Sequence, residues 1–275
     1  MTTWFITGTS TGFGRTMSEK LIARGDRVAA TLRQPHQLDD LAATAGERLW
    51  VRKLDVTDPQ AVDRVVAEAF SDLGTIDVVV NNAGYGTFGA VEELTREQIR
   101  RSIDTNLLGS IDVIKAALPY FRAQQHGRIL QVSSAGGQAA YPGFAAYHAA
   151  KWGIEGFCEA IAPELAALGI EITIVEPGAS PTQFTPSRDD GTISAAYDNG
   201  PVGEVRRAII SGAFPQPNDP AKIAQAMIDL ATNPEPTPIR LPLGEDTDVA
   251  LRDAYTQRLA EHNAHQALAL SVGLD

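Results

Sequence analysis

The chain has 275 residues, 44% of them hydrophobic and 21% charged, which suits one α/β domain with a large core. A formal charge of −11 argues against nucleic acid or an anionic membrane as a partner, since both ask for a basic face. It still allows a phosphate-bearing cofactor held by backbone N–H groups and one or two local arginines.

In chain order, residues 1–6 lack the basic region and long apolar run of a secretory leader. No stretch approaches the ~18 apolar residues of a membrane span, so a cytoplasmic protein is expected. Apolar, β-branched runs at 4–7, 28–32, 49–54, 76–81, 129–132 and 172–175 read as strands, with a seventh at 239–243. Longer helical patterns separate them, the signature of βαβ units. Near-continuous hydrophobicity fits strands covered on both faces. The expected fold is therefore α/β, a single-domain Rossmann fold spanning 1–275, with a doubly wound seven-stranded parallel sheet.

The first helix should run over 12–24 and end at Gly25. Asp58-Pro59 and Asp219-Pro220 each read as an N-cap followed by proline in the first turn. Long helices are expected over 96–124 and 145–168, the second bent by Pro163. Cys158, the single cysteine, falls in that helix with no base beside it and reads as packing. The stretch 180–217 is rich in proline and glycine with weak periodicity, and residues 182–217 are assigned as a substrate-binding lid. Residues 246–275 form a helical tail that either caps the site or blocks a second interface.

Three places carry chemistry. The turn Thr7-Gly8-Thr9-Ser10-Thr11-Gly12-Phe13-Gly14 lies between strand and helix. There Gly8 allows a tight turn, Gly12 and Gly14 allow close backbone approach, and the helix N-terminus offers N–H groups to a pyrophosphate. After the second strand, Thr31-Leu32-Arg33 lacks the carboxylate that would bind an adenosine ribose and repel a 2′-phosphate. Arg33 could pair with that phosphate, which favours NADP(H) and leaves room for NAD(H). Tyr147 and Lys151 are four residues apart on one helix face, and Ser134 lies thirteen residues before the tyrosine. A phenol near pKa 10 needs help near neutrality, which a neighbouring ammonium would give by favouring the phenolate.

Thr7–Gly14 fits TGxxxGxG, Asn81-Asn82-Ala83-Gly84 fits NNAG, Tyr147–Lys151 fits YxxxK, and Pro177-Gly178 is followed by Thr182. The set resembles the short-chain dehydrogenase/reductase family over roughly residues 3–185. The resemblance implies a tetrad of Asn106, Ser134, Tyr147 and Lys151. Tyr147 would give a proton to a carbonyl oxygen, and Lys151 would hold the nicotinamide ribose and lower the tyrosine pKa. Asn106 would hold a water that relays protons. Cofactor contacts would come from Gly8, Ser10, Thr11, Gly12, Phe13, Gly14 and Arg33, from Asp55 and Val56 at the adenine, and from Asn82, Ala83 and Gly84. Pro177, Gly178 and Thr182 would position the carboxamide. His148 replaces the serine of many relatives and points off the Tyr–Lys face, so packing or surface exposure is expected of it. The glycine turn also lacks the basic residue that some NADP-preferring relatives carry, which leaves Arg33 as the main discriminator.

For the substrate wall the candidates are Tyr85, Phe88, Tyr141, Phe144 and Phe184, around a neutral ketone or aldehyde of moderate size. No metal is expected, and a homodimer or homotetramer is the expected assembly. A non-catalytic nucleotide sensor is the competing function, but it would not need an acid at the nicotinamide. An epimerase or dehydratase is the rival within enzymes, and the GxxxGxG spacing favours the simple reductase.

Overall fold

The computed structural model describes residues 1–274. Seven strands form one parallel sheet: β1 (Thr3–Thr7), β2 (Arg27–Leu32), β3 (Leu49–Lys53), β4 (Val78–Asn81), β5 (Gly127–Val132), β6 (Ile170–Pro177) and β7 (Arg240–Leu243). Their order across the sheet is β3-β2-β1-β4-β5-β6-β7. Progress along the chain reverses direction between β1 and β4, and at such a switch point the carboxyl ends of the strands open a crevice. Phe5 pairs with Ala29 on one side and Val79 on the other, so β1 lies at the centre of the register.

Alternate side chains feed two cores, because successive residues of a strand point to opposite faces. Phe5, Ala29, Val79, Ile129 and Ile172 pack with residues of α3 (Pro59–Leu73), α5 (Gly109–Gln124) and α6 (Ala145–Ala166). Trp4, Ile6, Val28, Val80 and Leu130 pack with α1 (Gly12–Arg24), α2 (Asp39–Ala45) and α8 (Pro220–Thr232). Each fully buried valine, leucine, isoleucine or phenylalanine among them stabilises the fold by about 1.5–3 kcal/mol.

Local signals stop and start the helices as expected. Gly25 adopts φ 94°, and its N–H donates to Ile22 O at 3.0 Å. Asp58 accepts from Ala61 N at 3.0 Å and Asp219 from Ala221 N at 2.7 Å, each followed by proline.

The structure corrects three expectations. The helix expected over 96–124 is interrupted: α4 (Arg96–Ile103), capped reciprocally by Thr95 and Gln98, passes through a π turn at Asp104–Leu108 before α5 begins. The lid is not structureless. It contains α7 (Pro201–Ile210), a 3₁₀ turn at Ala195–Tyr197, and Asp189–Asp190 paired in parallel with Thr87–Phe88. Finally, the helix expected over 145–168 ends at Ala166. The tail forms α9 (Glu245–Ala264) and α10 (Gln266–Leu270); Asp275, at its end, lies outside the described residues. No helix among the described residues is long and apolar enough to cross a membrane, and no cluster of potential metal ligands occurs among them.

Candidate active site

The carboxyl ends of the strands open into a cleft of about 2130 Å³. Single ligand pockets span about 300–1000 Å³, so this one has room for a cofactor and a substrate side by side. Ser10, Thr11, Gly12 and Phe13 line its floor, at the entrance to α1. Gly8 adopts φ 71°, and a Cβ there would fall 2.7 Å from Ala83 Cα. At Gly14 an added Cβ would fall 2.5 Å from both Asn82 Nδ2 and Gly8 O. Gly12 differs: its φ is 57°, and its nearest neighbour would be Thr182 at 3.7 Å, so open space lies above it. Thr11, the N-cap residue of α1, makes no side-chain cap bond. The first N–H groups of the helix therefore face the cleft and suit an anion. An opening above Gly12, closed backbone around Gly8 and Gly14, and uncapped amides together fit a dinucleotide pyrophosphate.

The turn after β4 locks this cradle. Thr7 Oγ1 accepts from Asn82 N and Ala83 N, both at 3.0 Å, while Asn82 Nδ2 donates to Thr7 O at 3.0 Å and Gly8 O at 2.9 Å. Asp55, Val56 and Gly84 lie along the same cleft, with Asp55 Oδ1 accepting from Thr57 N at 3.0 Å. Arg33 stands exposed on the cleft at the end of β2, with no ion pair among the described residues. Arg15, the other basic residue beside the turn, is engaged by Asp40 and Glu19. Its guanidinium is thus held by carboxylates while that of Arg33 is available.

Tyr147 and Lys151 are 7% and 5% exposed on α6, and the Lys151 Nζ stands 5.7 Å from the tyrosine ring centroid. Lys151 Nζ donates to Val132 O at 2.9 Å. Ser134 caps the short turn after β5, its Oγ accepting from Gly136 N at 3.0 Å. Burial pushes the Tyr147 phenol well above its ordinary range, opposed by the Ser134 hydroxyl and reinforced by the Glu155 carboxylate. That is the reverse of the expected lowering by Lys151, because removing a phenolate from water dominates in this dry position. Burial likewise lowers Lys151 to about 8, with the carboxylate of Glu155 opposing. The Tyr147 phenol is therefore protonated near neutrality, while Lys151 titrates about one unit above it.

Asn106 sits fully buried in the π turn. Its Oδ1 accepts from Tyr85 N at 3.0 Å, and its Nδ2 donates to Tyr85 O at 3.1 Å and Ser102 O at 3.0 Å. The amide clamps the loop after β4. A Cβ added to Gly84 would meet Asn106 Oδ1 at 2.7 Å and Lys151 Nζ at 3.9 Å, so these three residues converge. His148 is buried and structural rather than a surface group. Its Nε2 accepts from Tyr141 N at 2.9 Å, which leaves the proton on Nδ1 to donate to Gly136 O at 2.6 Å. Burial holds its pKa below the usual value, so it stays neutral and braces the segment between Ser134 and Tyr147.

Tyr85, Tyr141, Phe144 and Phe184 all line the cleft, with Phe184 5.5 Å from Tyr147 between ring centroids. Phe88 does not line it. It packs behind Phe144 at 5.0 Å, in the core. Pro177, Gly178 and Thr182 lie on the cleft's rim. Tail helix α9 lines the opposite side, where Asp246 Oδ2 accepts from Ala179 N at 2.8 Å and Asp246 Oδ1 from Asn218 Nδ2 at 2.8 Å.

Sequence reasoning missed Asp246, Asn218, Gln138 and the Arg240–Glu155–Glu176 cluster. Two of these left a signal: Glu155 repeats the four-residue spacing after Lys151, and Arg240 is a charge inside an expected strand. For Asp246, well beyond the lid in the chain, nothing in the sequence marked the contact.

Residues 2–192 match the short chain dehydrogenase family. An oxidoreductase named BOA17 from Botryotinia fuckeliana is 40% identical over 245 residues, covering 88% of this chain and 89% of its own. The crystal structure of a short-chain dehydrogenase from Streptomyces avermitilis superposes with a TM-score of 0.91 at 35% identity, covering 99% of this chain and 98% of that one. The closed form of a serine dehydrogenase complexed with NADP+ gives a TM-score of 0.76 at 25% identity, covering 88% of this chain and 94% of its own.

Proposed function

The chain belongs to the short-chain dehydrogenase family of oxidoreductases acting on alcohol or carbonyl groups with NAD(P), and we propose that it reduces a neutral ketone or aldehyde at the expense of NADPH. The observation that carries this reading is one cleft holding both the glycine cradle and a buried Tyr147–Lys151 pair. Reduced nicotinamide supplies the hydride when bound. Tyr147 then delivers its phenolic proton to the carbonyl oxygen, and Ser134 donates a hydrogen bond to the same oxygen. Lys151 holds the nicotinamide ribose with its ammonium and stabilises the phenolate left behind. Asn106 fixes the loop beneath this pair and offers its remaining acceptor capacity to a relaying water. Tyr85, Tyr141, Phe144 and Phe184 exclude solvent and take the substrate's apolar body.

NADP(H) is preferred over NAD(H) in this reading because no carboxylate ends β2, and Arg33 there has no ion pair among the described residues. The NADP+ complex of the serine dehydrogenase relative supports the same preference. The reading extends to a cytoplasmic homodimer or homotetramer, supported by the lone buried cysteine and by exposed Leu108 and Trp152 on the helices beside the site.

The test follows loss of absorbance from NADPH and from NADH in parallel, against aromatic and aliphatic ketones and aldehydes. Turnover with NADPH well ahead of NADH is expected. Turnover with NADH alone would overturn the cofactor preference. Silence with both, alongside measured cofactor binding, would overturn the reductase reading.

A further inference from the structure

The catalytic helix carries a second buried charge one turn beyond its lysine. Glu155 is 2% exposed and follows Lys151 by four residues, on the same face of α6. Ser133 Oγ donates to its Oε1 at 2.5 Å, and Arg240 Nη1 donates to its Oε2 at 2.6 Å. The turn after Ser134 closes directly over the carboxylate, for a Cβ on Gly137 would fall 1.7 Å from Oε1. This pocket is built for a carboxylate.

Every neighbouring element contributes a charged or titratable group. Arg240 on β7 also meets Glu176 on β6, and it donates to Glu159 on α6 at 2.9 Å. Glu176 accepts from Gln138, whose Oε1 accepts from Tyr255 OH at 2.5 Å and whose carbonyl accepts from Arg258, both on tail helix α9. Tyr147, Lys151 and Cys158 complete the set from α6 itself. One cation thus serves three carboxylates, two of them buried, and burial raises Glu155 to about 7, so it carries its negative charge at the higher pH where Lys151 titrates. Lys151, by contrast, bonds only to the neutral Val132 carbonyl and forms no ion pair among the described residues. Glu155, one helical turn along the same buried face, is the carboxylate placed to oppose the burial that lowers Lys151.

We propose that Glu155 is a positioning residue: its buried carboxylate, braced by Ser133 and Arg240, keeps Lys151 an ammonium able to hold the nicotinamide ribose beside Tyr147. The proposal rests on the assignment of Tyr147 and Lys151 above. The sign is fixed by Coulomb's law. A negative charge raises the lysine pKa against the desolvation that lowers it, so neutralising Glu155 must lower it further.

The test needs no substrate. The chain has five lysines, so a carbon-13 NMR titration of the folded full-length protein can follow Lys151, its signal identified by its loss in Lys151→Arg. The wild-type midpoint is expected at about 8. Glu155→Gln keeps the shape without the charge and should lower that midpoint by about one pH unit. Glu155→Asp keeps the charge and should restore most of the shift. An unmoved midpoint in Glu155→Gln, or an equal shift in Glu155→Asp, overturns the proposal. Should Glu155→Gln fail to fold, Ser133→Ala removes one donor to the carboxylate and should move the midpoint the same way by less; no movement there is equally fatal. A Tyr147→Phe variant that still turned over would sink the catalytic assignment and leave the titration standing, so the two failures are distinct.

Discussion

The two walls of the cleft are built on different principles. On the cofactor side, β1, β4 and α1 meet through backbone packing and short hydrogen bonds, with Thr7, Asn82, Gly8 and Gly14 fitted within contact distance. On the substrate side, the lid and tail join the body through one two-residue strand pairing, Asp189–Asp190 with Thr87–Phe88, and through scattered side-chain ties. Buried Glu93 accepts from Ser194 N at 2.8 Å and pairs with Arg206 of α7, Asp246 pins α9 to Ala179, and Tyr255 reaches Gln138. Ile193, Ile210, Val249 and Leu259 remain exposed there. A wall that binds an unvarying dinucleotide gains from rigidity. A wall that selects a substrate can be rebuilt through its loops while the scaffold stays fixed.

The comparison is broken most readily at its stiff side. Gly14→Ala places a Cβ 2.5 Å from Asn82 Nδ2 and Gly8 O, with a rigid backbone on one side. Overpacking of this kind costs about 1–3 kcal/mol. Thermal melting should show the loss, and fluorescence titration should show weakened NADPH binding. A stable variant with native affinity would mean that the cradle is softer than described. Arg33→Asp comes next, replacing an available cation with a charge that repels a 2′-phosphate. The charged hydrogen bonds lost are worth about 1.5–3 kcal/mol, so NADPH affinity should fall by at least tenfold while NADH affinity holds. Equal losses for both nucleotides would remove Arg33 from the discrimination.

Tyr255→Phe is the mildest change, because it deletes one hydrogen bond between tail and body, worth about 1 kcal/mol. Carbonyl KM should rise modestly and NADPH affinity should stay unchanged. If NADPH binding weakened as much as in Arg33→Asp, the two walls would not be independent.

Legibility in the sequence follows the same division. The sheet could be read because its strands are buried on both faces and leave unbroken apolar runs, and the caps at Asp58, Asp219 and Gly25 are local chemistry. The cradle and the Tyr147–Lys151 pair were legible because their function demands fixed spacing within one turn or one helix. The π turn that carries Asn106 was not, since residues 104–108 continue a helical pattern and only tertiary packing reveals the widened turn. Helix α7 was obscured by the surrounding proline and glycine, although Pro201 in its first turn is a starting signal. For His148 packing and surface exposure were left open because its partners, Gly136 O and Tyr141 N, belong to a loop whose path periodicity cannot give; the structure buries it. The tie between Asp246 and Ala179 spans 67 positions and carries no local signature.

The central claim, that Tyr147 is the acid of this cleft, is tested most directly by Tyr147→Phe, which removes one oxygen from a fully packed ring. Turnover of a carbonyl accepted by the wild type, measured with NADPH, should fall by about 10²–10⁴, with NADPH binding and melting temperature essentially retained. Turnover at the wild-type rate would contradict the assignment and require another proton donor in the cleft.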